Sequence, residues 1–108
     1  MNIFTYTLKS DSYNQIVTEI RYLIATARAT ERELVLIKPN ALNEENLKIQ
    51  SIIEKALRLM KKEGKIDFFA KGEDFSIDNA KARYLLNRYP DTVKDATEGK
   101  GDYIVKVQ

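Results

Sequence analysis

The sequence predicts a single small α/β domain, spanning residues 1–108, with elements in the order β-α-β-α-β-α-β. Its four strands are expected to form a mainly parallel sheet packed with three helices. Three observations lead there. The chain has 108 residues, 44% of them apolar, which suits one domain with a real core. Short runs of β-branched and aromatic residues alternate with longer segments of helical periodicity. One of those runs, Leu34-Val35-Leu36-Ile37, is apolar on both faces, as in the buried strands of parallel sheets.

The first strand is Ile3 to Leu8. Phe4, Tyr6 and Leu8 alternate with Ile3, Thr5 and Thr7 at period two, and neither face is charged, so cover on both sides is expected. Ser12 followed by Gln15 is a capping-box pattern. Tyr13, Ile16, Val17, Ile20, Leu23, Ile24 and Ala27 then repeat at helical spacing and predict an amphipathic helix over about 13–29. Pro39 cannot donate to a ladder and stops the second strand at Ile37.

Asn43 is the candidate cap of the second helix, with Glu44 and Glu45 at its positive end. Ile49, Ile52, Ile53, Ala56, Leu59 and Met60 form its apolar stripe, and Gly64 is a left-handed stop. A third strand covers Ile66 to Ala70, with Ile66, Phe68 and Ala70 on one face. After a turn at Gly72-Glu73-Asp74, Ser76 caps a third helix whose core face is Ala82, Leu85, Leu86 and Tyr89. Pro90 ends it by disfavouring a helical Tyr89. Residues 91–102 are polar, include Gly99 and Gly101, and read as a flexible loop before a last strand with Tyr103, Val105 and Val107.

Several chemistries are excluded. With neither His nor Cys, the Ser-His-Asp and Cys-His nucleophiles have no members, and zinc sites of the usual kinds have no ligands. No Gly-rich phosphate loop or dinucleotide fingerprint is present, and Lys9-Ser10-Asp11-Ser12 after the first strand has no glycine. No cofactor and no metal are therefore expected. The chain lacks a secretory leader and any long apolar run, so a cytoplasmic protein without membrane contact is expected.

The net charge is +2, and the excess is uneven. Residues 1–54 carry six Lys/Arg against seven Asp/Glu, whereas 55–108 carry twelve against nine. Lys55, Arg58, Lys61, Lys62 and Lys65 cluster at the end of the second helix, opposed by Glu63 alone. Cations there stabilise the helix's negative end, and they also suit phosphate contacts. Lys81, Tyr84 and Arg88 follow i, i+3, i+7 spacing on the third helix, with Arg83 widening the polar surface. Such a stripe is a solvated flank or a surface that meets phosphates and stacks on a base. Lys94, Thr97 and Lys100 lie in the polar loop. Tyr6, Tyr13 and Tyr89 fall at core-facing positions, and Tyr22 and Tyr84 at helix boundaries.

These residues lead first to a non-catalytic protein-binding or regulatory module that binds a protein partner or a second copy of itself. That reading calls for an exposed patch near Tyr22 or Tyr84, or an unpaired edge strand. The alternative is a small nucleic-acid-binding domain using Lys61, Lys62, Lys65, Lys81, Arg83, Tyr84 and Arg88, which requires them to converge on one face. A third is a Mg²⁺-dependent hydrolase built on carboxylates near Asp11 and Asp74.

Overall fold

The computed structural model describes residues 3–40, 46–72, 80–98 and 101–108, side chains of residues 80–82 excepted. In chain order the elements are β1 (Ile3–Thr7), α1 (Tyr13–Ala29), β2 (Leu34–Lys38), α2 (Leu47–Lys62), β3 (Ile66–Lys71), α3 (Ala80–Arg88), α4 (Pro90–Glu98) and β4 (Tyr103–Val107). The sheet order is β1-β2-β4-β3. Only β1 and β2 pair in parallel, and β4 is antiparallel to both β2 and β3. The sheet is thus mixed rather than mainly parallel, and the described residues form four helices rather than three.

The additional helix accounts for the direction of β4. Residues 91–98, expected within a flexible loop, form α4 together with Pro90 at its first position, with Asp91 in its first turn and Val93 and Ala96 buried. Tyr89, at the end of α3, bonds to Glu33 just before β2, so α3 ends at the lower edge of the sheet, where β1–β3 begin. The Ala96 carbonyl lies against Gly72, at the upper end of β3. α4 therefore climbs back to the top, and the chain enters β4 running downward. A single crossover helix would have delivered it to the bottom and made β4 parallel.

β2 is buried on both faces, as Leu34-Val35-Leu36-Ile37 predicted, and so is most of β4. β1 is an edge strand and only partly covered, contrary to the expectation of cover on both sides. One face carries α1 and α2 over Val35, Ile37, Ile66, Tyr103, Val105 and Val107. The other carries α3 and α4 over Leu34, Leu36 and Ile104. α1 and α2 share a face because both crossovers step the same way across the sheet.

Local details also depart from the simple pattern. The register of β3 shifts between Ile66 and Phe68, so Asp67 is inserted as a bulge. Ile66 and Phe69 then share the α1–α2 face, and Phe68 turns to the other side instead of joining Ile66. Helix α2 starts at Leu47 and is capped by Asn46, whose side chain accepts from the N–H groups of Lys48 and Ile49. The expected cap Asn43 lies outside the described residues, as do Glu44, Glu45, Glu73, Asp74, Ser76, Gly99 and Lys100. Ser12 is the N-cap of α1, but its hydroxyl donates to Gln15 Oε1 rather than capping the backbone.

Both long helices end in the same hydrogen-bonded stop. Lys65 N–H donates to Met60 O at 2.9 Å, and Arg32 N–H donates to Ala27 O at 2.7 Å. The left-handed residue is Gly64 in one case (φ 75°) and Glu31 in the other (φ 56°). Glu31→Gly is therefore expected to relieve strain and raise stability by about 1 kcal/mol. Gly72 has a different reason to be glycine, since a Cβ there would lie 2.1 Å from Ala96 O. Gly72→Ala should cost about 3 kcal/mol. Denaturant unfolding of the two variants checks both values.

Candidate functional site

The cations at the end of α2 divide between two grooves. Arg58, Lys61 and Lys62 line an open groove with Phe69 on β3, and among the described residues no carboxylate lines it. Gly64 turns the chain, and Lys65 passes to the other flank. There it joins Arg21 and Arg28 around a cleft of about 390 Å³ between α1 and α2, walled by Ile24, Ala25 and Met60. The amphipathic pattern of α1 produces this arrangement. Arg21, Ala25 and Arg28, at i, i+4, i+7, put a small side chain between two cations on the flank that faces α2.

Arg21 is braced by Glu63 through two hydrogen bonds of 2.5 and 2.9 Å. The guanidinium holds the Glu63 carboxyl below its usual range. Both side chains remain solvated, so the pair positions Arg21 at the cleft mouth more than it stabilises the fold.

The third-helix residues occupy the opposite face of the sheet. Tyr84 and Tyr89 donate their hydroxyls to the two oxygens of Glu33, at 2.6 and 2.5 Å. Arg88 Nε lies 3.0 Å from the same carboxylate, and its guanidinium sits over both rings, 6.0 and 5.7 Å from their centroids. Lys106 approaches Glu33 to 3.9 Å. Burial opposes ionisation of Glu33, but the two phenol hydrogen bonds and the charges of Arg88 and Lys106 together hold its carboxyl below the usual range. Arg83 is exposed on this helix, and the Lys81 side chain lies outside the described residues. The structure thus brings Lys61 and Lys62 together with Arg58, sends Lys65 to the adjoining cleft, and leaves Tyr84 and Arg88 on the other layer, engaged with Glu33.

Four residues that complete these sites were not singled out from the sequence: Arg21, Arg28, Phe69 and Glu33. The Arg21/Ala25/Arg28 spacing was a usable signal. Nothing local signalled Glu33 or Phe69, whose partners are distant in sequence.

Carboxylates elsewhere serve the fold. Glu19 accepts from the Tyr6 hydroxyl and from the N–H groups of Lys9 and Ser10, at 2.7 to 3.0 Å, and closes the loop after β1. Asp102, buried at the start of β4, meets Lys38 Nζ at 2.6 Å. Asp11 is exposed, and Asp74 lies outside the described residues. Among the described residues, no group of three or more acidic side chains is placed to hold a metal ion, and no helix is long and apolar enough to cross a membrane. Compared with known proteins, the chain matches no family model and no curated relative.

The Glu33 cluster is expected to anchor α3. Glu33→Gln should lower the unfolding free energy by about 2 kcal/mol, the loss of hydrogen bonds to a charged acceptor. Because the folded carboxyl titrates below the unfolded one, its stabilisation is present above the unfolded value and lost as pH falls through the folded one. Wild type should therefore lose more stability than Glu33→Gln on acidification, measured by urea midpoints from neutral pH downward. Parallel curves would remove Glu33 from this role.

Proposed function

We propose that this protein is a non-catalytic binding module whose α1–α2 cleft receives an acidic protein segment carrying an apolar anchor. The observation that carries the reading is the combination of an apolar wall, Ile24, Ala25 and Met60, with a cationic rim, Arg21, Arg28 and Lys65. Apolar walls contribute affinity through burial, and the rim selects negative charge and speeds encounter. A purely electrostatic surface would need no such wall.

A second reading is favoured by the neighbouring groove. Arg58, Lys61 and Lys62 surround the half-buried ring of Phe69, a combination that suits phosphates with a stacked base. It retains the nucleic-acid alternative in altered form, on α2 and β3 rather than on α2 and α3.

Fluorescence anisotropy separates the two. A labelled peptide of Glu and Leu, a labelled polyglutamate and a labelled oligo-dT are titrated at about 50 and about 200 mM salt. Under the first reading the Glu/Leu peptide binds more tightly than polyglutamate, its affinity falls only modestly with salt, and Ala25→Glu weakens it about tenfold. Tighter binding of oligo-dT that collapses with salt and with Lys61→Glu/Lys62→Glu would give the site to nucleic acid instead. No binding by any of the three ligands would overturn both readings.

A further inference from the structure

The two edges of the sheet are built differently. β3 carries Asp67 in a bulge and Lys71 at its end, both of which discourage strand addition. β1 reads Ile-Phe-Thr-Tyr-Thr, with no charge, no proline, and a register against β2 without a break. Such an edge is open to pairing, and short β-branched and aromatic residues favour it.

We propose that β1 is a self-association surface, pairing antiparallel with β1 of a second copy to extend the sheet across a two-fold axis. The proposal does not depend on the α1–α2 cleft, which lies on the other flank of α1.

The backbone phase fits. Leu8 N–H donates to Lys38 O on β2, so by alternation Tyr6 and Phe4 direct their amide groups inward. Ile3, Thr5 and Thr7 then direct theirs outward. An antiparallel pair centred on Thr5 sets Thr5 opposite Thr5, with both outward N–H groups facing carbonyls of the partner. The same register places Phe4 opposite Tyr6 and Ile3 opposite Thr7, whose outward N–H shares the Ile3 carbonyl with Arg32. Aromatic meets aromatic and β-branched meets β-branched, an isologous fit of a strand to itself.

The side chains support this register. Phe4 and Tyr6 stack with centroids 6.5 Å apart and are only half-buried in one copy. Above them Tyr22 on α1 is 67% exposed. Gln15, Glu19, Tyr22 and Thr26 follow helical spacing along this flank, which carries no cation. Arg32 lies over Phe4 and donates to Ile3 O at the lower end of the strand, and Glu19 holds the upper end. The two-fold brings each Arg32 toward the partner's Glu19 end and keeps the two Arg32 residues apart. Only five residues pair per copy, so the dimer is expected to form in the micromolar range, about 10 µM.

Sedimentation equilibrium of the full chain over a dilution series tests the proposal, alongside hydrogen exchange of the Thr5 amide. The mass should rise from 12.5 kDa toward twice that value with concentration, and the Thr5 amide should become protected in parallel. Thr5→Lys sets two cations opposite each other, and Thr5→Pro deletes the outward N–H without touching the β1–β2 ladder. Each should hold the chain monomeric, with a melting curve confirming that at least one variant is folded. Ala25→Glu, in the cleft, should leave the mass unchanged. A chain that stays monomeric at high concentration, or a dimer that survives both Thr5 variants, overturns the proposal; the first outcome leaves the edge to a strand from another protein.

Discussion

β4 is the strand on which the other elements converge. It is last in the chain yet sits between β2 and β3, so β3 reaches the rest of the sheet only through it. Its first residues are held by several independent contacts. Asp102 meets Lys38 at the top of β2, and its carbonyl accepts from Gly72 at the top of β3. Tyr103, fully buried, reaches Glu54 on α2 with its hydroxyl at 2.7 Å. These contacts tie two neighbouring strands and a helix to one entry point. The sheet therefore closes only after the chain's last segment arrives, with pairings distant in sequence and slow to form.

The same entry point explains the division of the surface. α4 returns the chain to the top, and α3 and α4 occupy the face opposite α1 and α2. The third-helix tyrosines and Arg88 are then drawn to Glu33 at the lower edge, where α3 ends. A carboxylate with two phenols and a guanidinium around it serves as an anchor, and its partners are spent on one another. The cations that remain grouped belong to the α1–α2 layer, where the helix ends and the Gly64 turn bring Arg21, Arg28, Arg58, Lys61, Lys62 and Lys65 around two adjoining grooves. The binding proposed for this layer and the pairing proposed for the β1 edge use different sides of α1, so neither excludes the other.

The candidate site was partly legible in the sequence. Lys61, Lys62 and Lys65 stood out because charge density along one helix is a local property. Their separation into two grooves was not visible, since it depends on which side of α2 faces α1 and which faces β3. Tyr84 and Arg88 stood out for their spacing, but their commitment to Glu33 spans more than fifty residues of chain and leaves no local pattern. Arg21 and Arg28 resembled ordinary solvated residues until α2 was placed beside them.

The sequence by itself determined the elements whose periodicity was strong: β1, α1, β2 and α2, with the buried character of β2 and the stop at Gly64. Hydrophobic period and turn chemistry are properties of adjacent residues, and they need no partner to be read. Tertiary structure alone decided the existence of α4, the bulge at Asp67, the direction of β4 and the strand order. α4 offers only Val93 and Ala96 as buried residues among nine, too few to signal a helix, and it is held by packing against the sheet rather than by propensity. That one short helix reverses the last strand, and with it the sheet changes from the expected parallel form to a mixed one.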